Sequence, residues 1–145
     1  MPVHNNEIIT STKNSKIKEV VLLQQKTSER RKNGMFIVEG IREICHCSDS
    51  GFEIDSLYIS DEILKDESSI SKIPCNSIYR VSQDVYNKMA YRGSTEGVIA
   101  IVKRKERTLD SLQLPDNPLI VVLESVEKPG NIGAILRSAD AAGVD

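Results

Sequence analysis

The residues best suited to chemistry lie near the end of the chain: Glu124, Asn131 and Arg137, within Leu119-Ile120-Val121-Val122-Leu123-Glu124-Ser125-Val126-Glu127-Lys128-Pro129-Gly130-Asn131-Ile132-Gly133-Ala134-Ile135-Leu136-Arg137. A guanidinium is protonated at any ordinary pH and has donors but no acceptor, so Arg137 is a poor general base. It suits a bidentate clamp on a phosphate, or the stabilisation of a developing alkoxide. An arginine on a helix surface with no task is the plain alternative. Asn131 stands at the expected start of a helix and can cap it through its side-chain oxygen. Such a cap would also fix the loop before it. Glu124 closes an apolar run; at the carboxyl end of a parallel strand it would stand where open α/β folds bind ligands. It can equally pair with Lys128 at the surface. Gly130 and Gly133 read as steric residues, one for a turn and one for close packing of helix on strand.

Cys45-His46-Cys47 invites a metal reading. It offers at most three ligands from adjacent positions, where structural zinc sites want four from two separated pairs. Cys45 also falls on an apolar helical face, so ordinary packed and surface cysteines are the better reading. No metal is expected. Cys75 has no evident partner, and the sequence presents neither a Ser-His-Asp nor a Cys-His arrangement nor a phosphate loop.

The elements that must position these residues alternate. Residues 1–14 are polar and aperiodic and read as a flexible lead-in. Asn14 or Ser15 can cap a helix whose face carries Ile17, Val20, Val21 and Gln24, with Leu23 beside them. Ser28 to Gly34 reads as a charged turn. Met35–Val38 reads as a strand, Ile41 to Ser48 as a helix closed by Gly51, Ile54–Ser60 as a strand and Asp61–Glu67 as a short helix. Ser77–Val81 reads as a strand, Ser82 caps a helix containing Val85, Tyr86 and Met89, and Gly97–Val102 is another apolar strand. This order implies an α/β sandwich of two or three layers. Lys103 to Asn117 breaks the pattern, with a charge run and two prolines. The implied division is a lead-in at 1–14, a domain at 15–103, a linker at 104–117 and a second element at 118–145. In that last element, Leu119–Leu123 is an unbroken apolar run suited to a parallel strand buried on both faces. A helix follows from Asn131, with Ile132, Ile135, Leu136 and Ala139 on one face and Gly143 as its stop.

The stretch from Leu123 to Ala139 closely resembles the first motif of the SpoU (TrmH-type) RNA ribose 2′-O-methyltransferases, members of the knotted SPOUT superfamily. Lys128 stands where many members have Asp. Met35-Phe36-Ile37-Val38-Glu39-Gly40 resembles the signature near the start of that family's substrate-binding domain. Ser94-Thr95-Glu96-Gly97-Val98-Ile99-Ala100 resembles its closing signature, with Glu96 in the usual Gln position. The resemblance covers about residues 15 to 145. It implies an N-terminal lobe related in fold to ribosomal proteins that bind kinked RNA. After it come the first strand and helix of an incomplete methyltransferase domain. It implies S-adenosylmethionine as methyl donor, bound by motifs expected beyond Asp145, and a ribose 2′-hydroxyl of ribosomal or transfer RNA as acceptor. In the family the residue matching Arg137 lies beside the target ribose, and that matching Asn131 shapes the catalytic loop. A homodimer is implied for the whole enzyme. These residues alone are expected to bind RNA without transferring methyl, with a stand-alone RNA-binding module as the alternative.

Composition agrees with a cytoplasmic, water-soluble protein: 39% hydrophobic and 28% charged residues, no apolar run long enough for a membrane, and an odd three cysteines. The net charge of −2 gives no global case for nucleic acid. Its distribution says more. Between residues 13 and 34 stand Lys13, Lys16, Lys18, Lys26, Arg30, Arg31 and Lys32 against only Glu19 and Glu29, while residues 49–70 are acidic. Lys16, Lys26, Arg30, Arg31 and Lys32 are therefore the phosphate candidates, with Arg80, Lys88 and Arg92 weaker ones. Two opposed solvated faces would produce the same pattern. With few aromatic residues, phosphate and shape contacts are expected to outweigh base stacking.

Overall fold

The computed structural model describes residues 3–68, 70–91 and 96–145, with side chains from Glu7 onward. It divides into two compact units, Met1–Lys105 and Glu106–Asp145.

The first unit holds a five-stranded mixed sheet. Its strands are β1 (Val3–Ile9), β2 (Met35–Glu39), β3 (Ile54–Ile59), β4 (Cys75–Val81) and β5 (Val98–Lys103), in the order β1-β4-β3-β5-β2. β4 pairs in parallel with both β1 and β3; β5 runs antiparallel to both β3 and β2. Four helices cover the sheet: α1 (Ser15–Gln25), α2 (Thr27–Asn33), α3 (Ile41–Asp49) and α4 (Gln83–Met89).

Strand β5 sorts the core. Because successive side chains point to opposite faces, Ile99 and Ile101 join Ile17, Val20 and Leu23 of α1 and Val85, Tyr86 and Met89 of α4 in one buried cluster. Val98, Ala100 and Val102 join Ile44 of α3 with Ile54, Leu57 and Ile59 of β3 in the other. The expected sandwich is thus a three-layer one.

The expected caps are present: Asn14 Oδ1 accepts from the Lys16 N–H at 2.9 Å, and Ser82 Oγ from the Val85 N–H at 3.4 Å. Three expectations are corrected. Residues 1–14 are not a shapeless lead-in, because Val3–Ile9 pairs alongside β4; its polar sequence hides a strand whose ladder comes from a distant neighbour. Ser28–Gly34 is not a turn but most of α2. Glu29 in its first turn and Arg30, Arg31 and Lys32 in its last suit the helix dipole, and Gly34 at φ +63° closes it. Asp61–Glu67 forms turns only: Ile63 and Leu64 donate back to Ser60 O, and the chain then leaves the helical path.

Among the described residues no helix is long and apolar enough to cross a membrane. Near the end of β4, the Arg80 guanidinium is held by Glu67 and Asp61, with Nη2 bonding Glu67 Oε2 at 3.0 Å. The hydrogen bonds from Arg80 hold the Glu67 carboxyl below its ordinary value. The bridge therefore contributes fully above the unfolded carboxylate value near pH ~4.3 and is lost as pH falls through the lower folded value. Glu67→Gln should cost less than about 1 kcal/mol at neutral pH, since solvent screens this half-exposed pair. In urea denaturation that difference should shrink as pH falls below the ordinary carboxylate range.

Candidate functional site

In the second unit the terminal motif is built on one helix, α5 (Pro129–Ala141). Pro129 occupies its first position, where the missing N–H costs nothing. Lys128 is the cap residue, without a side-chain cap bond. Asn131 is therefore not the cap: the helix starts two residues earlier, and the Asn131 N–H donates to Lys128 O at 3.0 Å. The predicted stop is correct. Gly143, at φ +71°, donates to Asp140 O, while Val144 donates to Ala139 O, the paired bonds of a Schellman ending.

Arg137 is exposed and reaches back one turn. Its Nη1 lies 4.0 Å from where a Cβ on Gly133 would sit, an ordinary contact distance. No hydrogen bond or ion pair engages its guanidinium among the described residues. Glu124 is exposed and precedes Ser125, a non-glycine residue at φ +54°. No hydrogen bond joins Glu124, Asn131 and Arg137 to one another among the described residues.

The expected buried strand at Leu119–Leu123 is not formed. The segment has no ladder partner among the described residues and is exposed, Val122 by 86%. A strand buried on both faces needs neighbours for its backbone and covers for its side chains, and neither is supplied by residues 106–145. Only its first residue is tied: the Leu119 N–H donates to Asp145 Oδ2 at 3.0 Å, and the Asp145 N–H donates to Leu119 O at 3.1 Å.

The basic candidates sit on α1 and α2 of the first unit. Lys16 lies in the first turn of α1, its Nζ 5.8 Å from the centre of the Tyr79 ring. Lys26 links the two helices and is exposed, as are Arg31 and Lys32. Arg30 differs. Its Nη1 donates to Leu23 O at 2.7 Å and Gln24 O at 2.9 Å, and its Nη2 to Thr27 Oγ1 at 2.7 Å. The guanidinium closes the carbonyl end of α1, the favoured place for a cation. Arg80 is likewise committed to carboxylates. Lys88 lies in the last turn of α4, and Arg92 falls outside the described residues.

The two Glu-Gly signatures, far apart in sequence, meet at one cleft of about 710 Å³ in the first unit. Glu39 ends β2, and its Oε2 accepts the Tyr91 N–H at 3.0 Å. Glu96 precedes β5, and its Oε2 accepts the Ile41 N–H at the start of α3 at 2.6 Å. Gly40, at φ +106°, lies between: a Cβ there would stand 2.6 Å from Glu43 Oε2. Gly97, at φ +81°, packs against the Leu64 backbone, where a Cβ would meet Leu64 N at 2.6 Å. Sequence reading took Glu39 and Glu96 only as signature residues and passed over Glu43 and Tyr91. Their shared cleft depends on β2 and β5 being neighbours, which no local pattern states.

Cys45, Cys47 and Cys75 are free and half-buried, and burial pushes the thiols of Cys47 and Cys75 up. Among the described residues no group of three or more His, Cys, Asp or Glu is placed to hold a metal ion.

The lobe and the terminal motif together point to one class of protein, the SpoU-type RNA methyltransferases and their substrate-binding domain. Residues 14–100 match the family model of the MRM3-like substrate binding domain. The chain belongs to that family, and relatives that it matches are SpoU (TrmH-type) ribosomal RNA 2′-O-methyltransferases. It is 27% identical over 137 residues to the 23S rRNA (guanosine(2553)-2′-O)-methyltransferase RlmP of Bacillus subtilis, covering 94% of this chain and 52% of that one. It is 32% identical over 144 residues to an uncharacterized tRNA/rRNA methyltransferase of Synechocystis, covering 94% and 50%. A crystal structure of an RNA 2′-O ribose methyltransferase superposes with a TM-score of 0.76 at 36% identity, covering 95% of this chain and 53% of that one. The SpoU methyltransferase AviRb of Streptomyces viridochromogenes, solved with S-adenosylmethionine, shares the fold with a TM-score of 0.78 at 23% identity, covering 91% and 51%. The chain spans about half the length of these relatives.

S-adenosylmethionine is the cofactor of such relatives. The second unit does not fit it: no residue from 106 to 145 is buried, so nothing there encloses a ligand of that size. No step of methyl transfer is assigned to these residues.

Three substitutions test the assignments. Gly97→Ala should destabilise the first unit by more than about 2 kcal/mol, since its left-handed backbone and the fixed Leu64 backbone both oppose a methyl group. Arg30→Ala should cost about 1–3 kcal/mol through its lost charged hydrogen bonds, and Arg31→Ala less than about 0.5. Urea denaturation measures all three.

Proposed function

We propose that the first unit holds RNA for a methyltransferase that moves a methyl group from S-adenosylmethionine to a ribose 2′-hydroxyl of ribosomal or transfer RNA, working as a homodimer when whole. The observation that carries this reading is the match to a substrate-binding domain across residues 14–100, a span that folds here with its own two-sided core. Lys16, Lys26, Arg31 and Lys32 hold the RNA phosphates. Arg30 supports them by closing α1 and makes no phosphate contact itself. The relation to kinked-RNA-binding ribosomal proteins belongs to the same proposal.

Arg137 is the catalytic-side contact, clamping a backbone phosphate or steadying the developing alkoxide. Its exposed, uncommitted guanidinium supports this role. Asn131, in the first turn of α5, and Glu124, before the turn at Ser125, flank the same loop and shape it. The 145 residues alone bind RNA and do not transfer methyl. A stand-alone RNA-binding module is the second reading, favoured by the open second unit.

Binding of a ribosomal RNA fragment should weaken steeply with salt. Lys32→Ala should lower the slope of log K against log salt by about 0.7–0.9. Incubation with radiolabelled S-adenosylmethionine should leave the RNA unlabelled; label in the RNA would refute the assignment of inactivity. RNA affinity that ignores salt would count against phosphate contacts.

A further inference from the structure

We propose that the cleft at the end of β2 takes an unpaired nucleobase whose edge presents adjacent N–H donors, guanine before the others. This rests on the RNA reading above and concerns which part of the RNA the cleft holds.

The cleft is lined by Arg30, Glu39, Gly40, Glu43, Tyr91 and Glu96. Three carboxylates face one guanidinium that is already bonded to two carbonyls and a hydroxyl. A phosphate entering there meets net repulsion. The carboxylates are not arranged for a metal ion among the described residues. What they offer is acceptors. Glu39 Oε1 is buried and has no hydrogen-bond partner among the described residues, while Oε2 is pinned by the Tyr91 N–H and so fixes the carboxylate plane. Glu43 makes no hydrogen bond among the described residues. Glu96 is pinned through Oε2 alone among the described residues. Buried acceptors without donors are uncommon in folded proteins, and a donor-rich ligand would complete this set.

The shape agrees. Gly40 contributes no side chain to the floor. Leu23, Phe36 and Ile37 give the walls apolar area. Tyr91 is 84% exposed beside the cleft, a ring with one face free for stacking. The four bases then rank by their edges. Guanine presents N1–H and its amino group side by side, a match for carboxylate oxygens. Cytosine and adenine each place one amino group beside a ring-nitrogen acceptor, and uracil places one N–H between two carbonyls; carboxylates repel those acceptors.

The test uses the full chain and labelled short oligouridines that carry one internal guanosine, inosine, adenosine or uridine, read by fluorescence anisotropy at fixed salt. The guanosine oligonucleotide should bind about ten times tighter than the uridine one, with inosine, which lacks the amino group, in between. Glu39→Gln should erase that preference, bringing the guanosine affinity down to that of the uridine oligonucleotide. Tyr91→Ala, at an exposed position that does not threaten folding, should weaken all four about tenfold. Equal affinity for all four, with the usual salt dependence, would overturn the base cleft and leave the RNA reading standing. Failure of every oligonucleotide to bind would overturn both.

Discussion

Strand β5 has a hydrogen-bonding neighbour on each side and an apolar layer on each face, and the first unit is arranged around that double satisfaction. Its backbone groups are paired by β3 and β2. Its side chains divide between two cores, so α1 and α4 on one side and α3 on the other are held by the same five residues, Val98 to Val102. The segment Leu119–Leu123 is as apolar and as β-branched, yet it forms no ladder and remains exposed. The difference between the two lies in what surrounds them, and strand formation is a property of the neighbourhood as much as of the segment.

That dependence explains which parts of the fold could be read from the chain. Asn14 and Ser82 were legible as caps because capping is local, and Ile17, Val20 and Leu23 because a helical face repeats locally. β1 was not, since Val3–Ile9 is rich in Asn and Glu and owes its form to β4, about seventy residues later. α2 was missed because a cluster of charges resembles a turn; what steadies it is the dipole match and the bond of Arg30 to the end of α1. For the site, Arg137 and its helix were legible from the motif, whereas the start of that helix was set two residues too late because Pro129 was read as a turn residue and not as a first helical position.

The cations and carboxylates of the first unit illustrate the same point about partners. Arg30 and Arg80 look equivalent to Arg31 in sequence, yet both are committed to the protein itself, one to helix carbonyls and one to Glu67 and Asp61. Counting basic residues overstates a phosphate surface unless the committed ones are removed. Counting acidic residues understates a site when, as with Glu39 and Glu96, each carboxylate has one oxygen pinned by a backbone N–H and one left over.

The opposed faces of β5 carry a further consequence. Adding one residue within the strand would turn it over, sending Ile99 and Ile101 toward α3 and Ala100 toward α1. The same insertion would shift Glu96 and Gly97 by one strand step, roughly 3.3 Å, away from Gly40. The number of residues between Glu96 and Lys103 is thus as fixed by physics as their identities. A change in length there would unmake the core and the cleft together.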